Sequence, residues 1–310
     1  MPSLVTLTFS PCIDKSARVP VLVPEKKLLC SAPTLEPGGG GINVARVLKR
    51  LGMKATAIYP SGGYSGKFLD HLMRKEGVES VVIETEKETR ENIIIVDEST
   101  NNQYRFGMPA NALNETEWKK CLQAAEAVPQ MDFLVVSGSL PPGVAPGIFK
   151  ELASVAKNKK AKLVVDTSGN ALKEAVKQDV FLLKPNLGEL AVLAGKEKIP
   201  LAAIRETAQA VIRRYGGELI VVSMGQEGAM MISREECFTA RPPQVERKST
   251  VGAGDSMVAG MLYGLANGYP RQQALQYGVA CGTAATMNAG TELCHKEHAD
   301  RLFAMISGTQ

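Results

Sequence analysis

The sequence predicts an α/β fold: a doubly wound, mostly parallel sheet flanked by helices, with a small β-sheet lid projecting from it. Short apolar runs carry the first half of this expectation. DFLVVSGSL (132–140), AKLVVDTSG (161–169), VFLLKPN (180–186) and ELIVVSMG (218–225) alternate with helical patterns such as 146–157 and 201–215. Each run is continuously apolar rather than alternating, as strands buried on both faces are, and each closes on Gly, Ser, Asp or Asn. Repeated β-α units wind into a parallel sheet and leave ligands outside the carboxyl ends of its strands. The lid rests on two other segments. Residues 13–33 are β-like and broken by prolines, and TRENIIIVDESTNNQYRF (89–106) reads as a hairpin around the polar tip DESTNN. Both are too polar on one face for a central strand. The expected organisation is one domain over 1–310, with a lid from about 13–33 and 89–106. The lid's exposed face would be a liability unless covered, so a homodimer through it is expected.

Composition narrows the function classes. The chain has 310 residues, 45% hydrophobic and 22% charged, with a formal net charge of +4. That charge is too small and too dispersed for nucleic acid. The dense run KNKKAK (157–162) sits between a helical pattern and a strand and reads as a solvated helix end. None of the six cysteines forms a CxxC pair or a zinc spacing. MPSLVTLTFSPCIDK reads as a strand and a turn rather than a signal peptide, and no apolar run approaches the roughly 18–20 residues that span a membrane. A reduced, cytoplasmic protein with no membrane partner is expected. None of the three histidines, His71, His295 and His298, lies in a nucleophile-elbow context, which leaves serine-hydrolase chemistry little support.

Two glycine-rich elements precede helices. In TLEPGGGGINVARVLKRLG (34–52), four glycines lead into a helix whose apolar face is Ile42, Val44, Val47, Leu48 and Leu51, with Gly52 placed to stop it. A helix start of this kind suits an anion or a sugar, because free N–H groups converge there; a flexible loop is the alternative. The dinucleotide fingerprint GxGxxG fails, since Asn43 stands at the third glycine. GYSGKF (63–68) is a near-miss to a phosphate-binding P-loop, with Phe68 where Ser or Thr must hold magnesium, and is discarded. The second element is STVGAGDSMVAGMLYGLANG (249–268), in which Gly252, Ala253 and Gly254 enter a helix with Asp255 in its first turn. Phosphoryl transfer needs N–H donors aimed at the transferring oxygens and a carboxylate to take the proton of the attacking hydroxyl. This stretch offers both, although Asp255 taken alone is equally a helix-capping carboxylate.

GGGGINVAR (38–46), SGSLPPG (137–143), KPNLGEL (184–190) and STVGAGDS (249–256) resemble, in this order, the signatures of the PfkB family of ribokinase-like sugar kinases. The resemblance runs over essentially the whole chain and includes TLTFSPCID at its start, TREN (89–92) and FGMPANALNE (106–115). It implies a ribokinase-like fold and ATP-dependent phosphorylation. Asp255 would be the catalytic base, with Gly252, Ala253 and Gly254 as the anion hole. Asp14, Gly38, Gly39 and Asn43 would hold the acceptor hydroxyls, the glycines letting the sugar approach the backbone. Lys184 would neutralise donor phosphate, and Asn186 would touch ATP or its Mg2+. Glu189 would position that magnesium through water, although alone it is a surface helix charge. Ser223, Gly225 and Gly228 would line ATP, with Thr250 and the small residues around Gly282 and Asn288 near the adenine. A monovalent cation such as K+ would sit by Ser249, Val251, Asn288 and Gly290.

The acceptor follows from charge. A sugar phosphate brings about two negative charges and calls for fixed cations. Within the resemblance, Arg90 joins Ser139 and Lys27 on the phosphate, with Lys27 reaching in from a partner subunit; alone, Arg90 is an exposed hairpin charge. Leu29 stands where relatives carry a second cation. The GGGG form implies fructose 6-phosphate, phosphorylated on its C1 hydroxyl to fructose 1,6-bisphosphate. Tagatose 6-phosphate and fructose 1-phosphate are the alternatives, and a non-catalytic sugar-phosphate sensor on a kinase fold is the remote one. A dinucleotide-dependent oxidoreductase lacks its glycine turn.

Overall fold

A computed structural model describes residues 2–308. Its strands are β1 (Leu4–Leu7), β2 (Cys12–Val19), β3 (Thr34–Gly38), β4 (Ala55–Gly62), β5 (Glu79–Thr85), β6 (Arg90–Asp97), β7 (Asn102–Phe106), β8 (Phe133–Ser137), β9 (Lys162–Asp166), β10 (Leu182–Leu183), β11 (Leu219–Ser223), β12 (Ala229–Ile232) and β13 (Cys237–Ala240). Its helices are α1 (Gly40–Arg50), α2 (Gly63–Glu76), α3 (Glu115–Ala127), α4 (Ile148–Asn158), α5 (Gly169–Ala175), α6 (Leu187–Leu193), α7 (Ile204–Tyr215), α8 (Ala253–Ala266), α9 (Arg271–Thr286) and α10 (Lys296–Ser307).

Nine strands form the main sheet in the order β13-β12-β11-β10-β9-β8-β1-β4-β5. All pairings from β11 to β5 are parallel, and β12 and β13 close the other edge antiparallel. Successive residues of a strand point to opposite faces, so the core divides in two. Phe133 and Val135 of β8 join Val47, Leu48 and Leu262 on one face, while Leu134 and Val136 join Phe149, Leu152 and Ile212 on the other. Burial on both faces is why these strands are continuously apolar. Helix α8 is apolar almost all round and lies against α9. Its Gly260 permits the approach: a Cβ there would meet Cys281 Sγ at 2.6 Å and the Tyr277 carbonyl at 2.9 Å.

The second sheet has the order β3-β2-β6-β7. The expected β-like stretch 13–33 is only partly strand. It ends at Val19, residues 20–33 carry no strand, and the pairing resumes in Thr34–Gly38. TLEPG, with its proline and glutamate, is therefore an edge strand, a place that tolerates both. The hairpin of β6 and β7 turns over the polar tip as expected. Its inner face carries Ile94, Val96, Gln103 and Arg105; its outer face exposes Ile93, Tyr104 and Phe106. No helix among the described residues is long and apolar enough to cross a membrane.

Candidate active site

Asp255 lies in the first turn of α8, at the C-terminal ends of the parallel strands. Gly252 takes a left-handed conformation (φ 70°) as the residue before the helix, and no side chain caps that end. Asp255 is therefore not spent as a cap. Its Oδ2 accepts from Asn43 Nδ2 of α1 at 2.9 Å, and its Oδ1 accepts from Ser137 Oγ at the end of β8 at 3.4 Å. Burial, and next the charge of Asp166, push its pKa up from the usual carboxylate range to about 6; the bonds from Asn43 and Ser137 and the charge of Lys184 oppose this. A carboxylate so poised is ionised at neutral pH and basic enough to take a proton. The open first turn leaves backbone N–H groups of Ala253 and Gly254 without intrahelical partners.

The four glycines at the start of α1, Gly38 to Gly41, are needed by the protein itself. A Cβ on Gly38 would lie 2.5 Å from Asp14 Oδ2, and one on Gly40 would lie 2.3 Å from Ser137 Oγ and 2.7 Å from its carbonyl carbon. One on Gly41 would meet Thr8 Oγ1 at 2.6 Å and the Leu7 carbonyl at 2.8 Å, and Gly39 sits at φ 114°, against Thr8. The start of α1 is wedged between the ends of β1 and β8, so the protein's own packing requires these glycines. Thr8 Oγ1 also accepts from the Ile42 N–H at 2.8 Å. The discarded near-miss at 63–68 is filled too, because the Glu88 carboxylate accepts from the N–H groups of Tyr64 and Ser65, both at 3.1 Å.

Around this frame stand the residues expected to hold the acceptor. Asp14 is buried on β2 and held by Asn92 Nδ2 at 2.9 Å. Arg90 is no exposed hairpin charge: its guanidinium donates to the carbonyls of Met108 (3.0 Å) and Ser10 (3.2 Å), with a buried Nε left without a partner. Ser139 is exposed just beyond β8; it is Ser137, two residues earlier, that touches Asp255. Lys27 and Leu29 lie exposed in the loop 20–33, and Lys27 has no side-chain partner among the described residues, so one chain does not bring it to Arg90.

Among the residues expected to meet the donor, Lys184 is buried and its Nζ lies 3.1 Å from Asp166 Oδ1. Burial works against its charge, but Asp166, with Asp255 and Glu189 behind it, raises its pKa above the ordinary value. Asn186 and Glu189 form a capping box on α6: Asn186 Oδ1 accepts from the Glu189 N–H at 2.9 Å and Glu189 Oε2 from the Asn186 N–H at 2.8 Å. NLGE thus has a structural use whatever else it does. Ser223, Gly225, Gly228, Thr250, Gly254 and Gly282 all line one cavity of about 650 Å³. Asn288 does not; its amide donates to the Leu293 carbonyl at 2.9 Å. Ser249 Oγ donates to the Gly290 carbonyl at 2.6 Å and accepts from the Val251 N–H at 3.2 Å, so three of the four expected cation-site residues are adjacent. No cluster of three or more His, Cys, Asp or Glu side chains among the described residues would hold a metal ion. Asp166, Ser137, Asn92, Gln103 and Arg105 escaped the sequence reading. DTSG and SGS flag strand ends, but only the fold selects which polar residue meets α8.

A family model described as pfkB family carbohydrate kinase matches residues 7–298. The chain is 40% identical over 308 residues to the ATP-dependent 6-phosphofructokinase isozyme 2 of Escherichia coli (strain K12), covering 99% of this chain and 100% of the relative. The crystal structure of phosphofructokinase-2 from Escherichia coli in complex with fructose-6-phosphate superposes with a TM-score of 0.93 at 39% identity, over 99% of this chain and 100% of that one. The structure of that enzyme in complex with potassium gives a TM-score of 0.94 at 40% identity, over 99% of this chain and 100% of that one.

Proposed function

The chain belongs to the pfkB family of carbohydrate kinases, and on that premise we propose that it is an ATP-dependent 6-phosphofructokinase, which phosphorylates the C1 hydroxyl of fructose 6-phosphate. One observation carries the reading: Asp255, with its pKa near 6, stands between the Asp14–Arg90 half-site and the cavity lined by Gly254. Asp255 takes the proton of the C1 hydroxyl as the oxygen attacks the γ-phosphorus. The bond from that phosphorus to the bridging oxygen breaks, and ADP leaves with the electron pair. The N–H groups at the start of α8 and Lys184 face the charge on the transferring group. Asp14 holds acceptor hydroxyls and Arg90 the 6-phosphate.

The donor set suits magnesium carried mainly by the phosphates and water, with Glu189 and Asn186 in support, because magnesium keeps several waters and needs few protein ligands. It supplies neutralisation of the phosphate charge when bound. A potassium ion on the carbonyls near Ser249 and Gly290 is supported by their proximity and by the potassium complex of the Escherichia coli enzyme. The apolar outer face of the second sheet supports a homodimer, in which Lys27 of one chain completes the phosphate site of the other.

The test is ADP release with ATP and magnesium across fructose 6-phosphate, tagatose 6-phosphate, fructose 1-phosphate, fructose and ribose. A kcat/KM for fructose 6-phosphate at least about tenfold above the rest is the expected outcome, a margin of about 1.4 kcal/mol. Preference for another phosphosugar would move the substrate, and activity only on an unphosphorylated sugar would refute the roles of Arg90 and Lys27.

A further inference from the structure

The second sheet brings one more cation into the cleft. Gln103 and Arg105 are two residues apart on β7 and therefore share its inner face. Gln103 Nε2 donates to Ser249 Oγ at 3.3 Å, and Arg105 Nη2 donates to Thr250 Oγ1 at 2.7 Å. Gln103 also fixes the guanidinium, accepting from Arg105 Nε at 3.0 Å. Thr250 lines the 650 Å³ cavity and lies two residues before the anion-hole segment Gly252–Gly254. Arg105 thus reaches from the acceptor side of the cleft to the lip of the donor cavity.

Its charge is unspent. Lys184 is matched by Asp166, whereas no carboxylate among the described residues lies within ion-pairing distance of Arg105. Arg90 is tied to two carbonyls at the far end of the hairpin. Partial burial lowers the pKa of Arg105, against the attraction of Asp14, but a guanidinium stays charged at neutral pH. A hydroxyl is a weak partner for a fork of five donors that matches phosphate oxygens.

We propose that Arg105 is a catalytic residue for the donor: with both substrates bound, its guanidinium leaves Thr250 Oγ1 for oxygens of the transferring phosphoryl group and offsets the charge that develops there. No bond to Arg105 forms or breaks. The proposal rests on the kinase reading above. It makes the second sheet part of the chemistry, since a donor without an acceptor would lack this cation whenever the sheet stands away from the core.

The experiment compares wild type, Arg105→Ala and Arg105→Lys as full-length proteins, by ADP release with fructose 6-phosphate. Loss of a cation serving the transition state lowers kcat by about 10³-fold in the alanine variant, with the fructose 6-phosphate KM moved less than about threefold. Lysine restores part of kcat. Free guanidinium ion, added far below unfolding concentrations, restores the alanine variant saturably and leaves wild type unchanged. A kcat near wild type, a loss confined to the fructose 6-phosphate KM, or a loss that guanidinium cannot restore and a lowered Tm accompanies, would each overturn the assignment. A wild type that releases no ADP with any phosphosugar would overturn the kinase reading itself, before any variant is made.

Discussion

The two glycine-rich helix starts look alike in the sequence and behave differently in the fold. At α1 the space vacated by side chains is occupied by protein: Asp14 at Gly38, Ser137 at Gly40, Leu7 and Thr8 at Gly41. At α8 the side chain of Leu293 fills the space at Gly252, but the space at Gly254 is open. A Cβ on Gly254 would meet nothing nearer than Lys184 Nζ at 3.7 Å, and the segment borders the large cavity. A glycine run before a helix therefore signals a close approach without saying of what. Here one start fixes the frame and the other borders an open cavity, and Asn43 ties them together through Asp255.

If α8 is the reactive start, Asp255→Asn carries the largest effect. Turnover should fall at least about 10²-fold with a smaller change in KM, the scale of general-base loss; near-wild-type turnover would end the assignment. For wild type, kcat/KM should fall on the acid side of about pH 6, where Asp255 takes up its proton. Stability should move the other way. The native pKa lies above the ordinary carboxylate value, so the native state binds the proton more tightly, and ionisation costs stability as pH rises from about 4 to 6. Asparagine escapes that cost. The variant should melt roughly 2–4 °C above wild type at pH 7, with the gap closing near pH 4, as read by calorimetry.

If α1 offers no free anion site, the acceptor phosphate must be held elsewhere, and Arg90, half-buried at the start of β6, is the cation proposed to hold it. Arg90→Ala should raise the fructose 6-phosphate KM about 10- to 100-fold, the worth of a charged hydrogen bond, and leave the ATP KM nearly unchanged. Equal movement of both constants would remove Arg90 from the phosphate. The two starts can also be compared by adding one methyl to each. Gly40→Ala drives a Cβ into Ser137 and should cost about 1–3 kcal/mol in urea unfolding. Gly254→Ala should fold normally and alter the ATP KM. The reverse pattern would invert the comparison.

What was legible in the sequence divides along the same line. β8, β9 and β11 announced themselves because strands buried on both faces cannot carry polar residues until they end. β3 did not, since an edge strand with Pro37 and Glu36 reads like a loop. Asp255, Arg90 and Lys184 could be singled out from motif and charge. Their partners could not. Asn43 and Asp255 are 212 residues apart, Ser137 and Asp255 118 apart, and only strand order brings them together. Arg105 looked like one more polar residue of a hairpin, because which face of β7 turns inward depends on the register with Ile94 and Val96.

A third helix start gives the smallest effect and the finest test. α6 is neither wedged by protein nor open: Asn186 and Glu189 close it with their own side chains. The cap and a role toward magnesium make different demands on Glu189. The cap needs an oxygen that accepts from the Asn186 N–H, and glutamine supplies one. Support of a magnesium ion through water needs the negative charge. Glu189→Gln should therefore keep stability within about 0.5 kcal/mol, as expected for a substitution that spares the cap. It should raise the magnesium concentration for half-maximal turnover by about tenfold, the scale of losing a group that orients metal-bound water. Glu189→Ala should add a loss of about 1 kcal/mol in stability. If glutamine leaves the magnesium requirement unchanged, α6 is closed for structural reasons alone, and α8 remains the one helix start of the three that meets the donor.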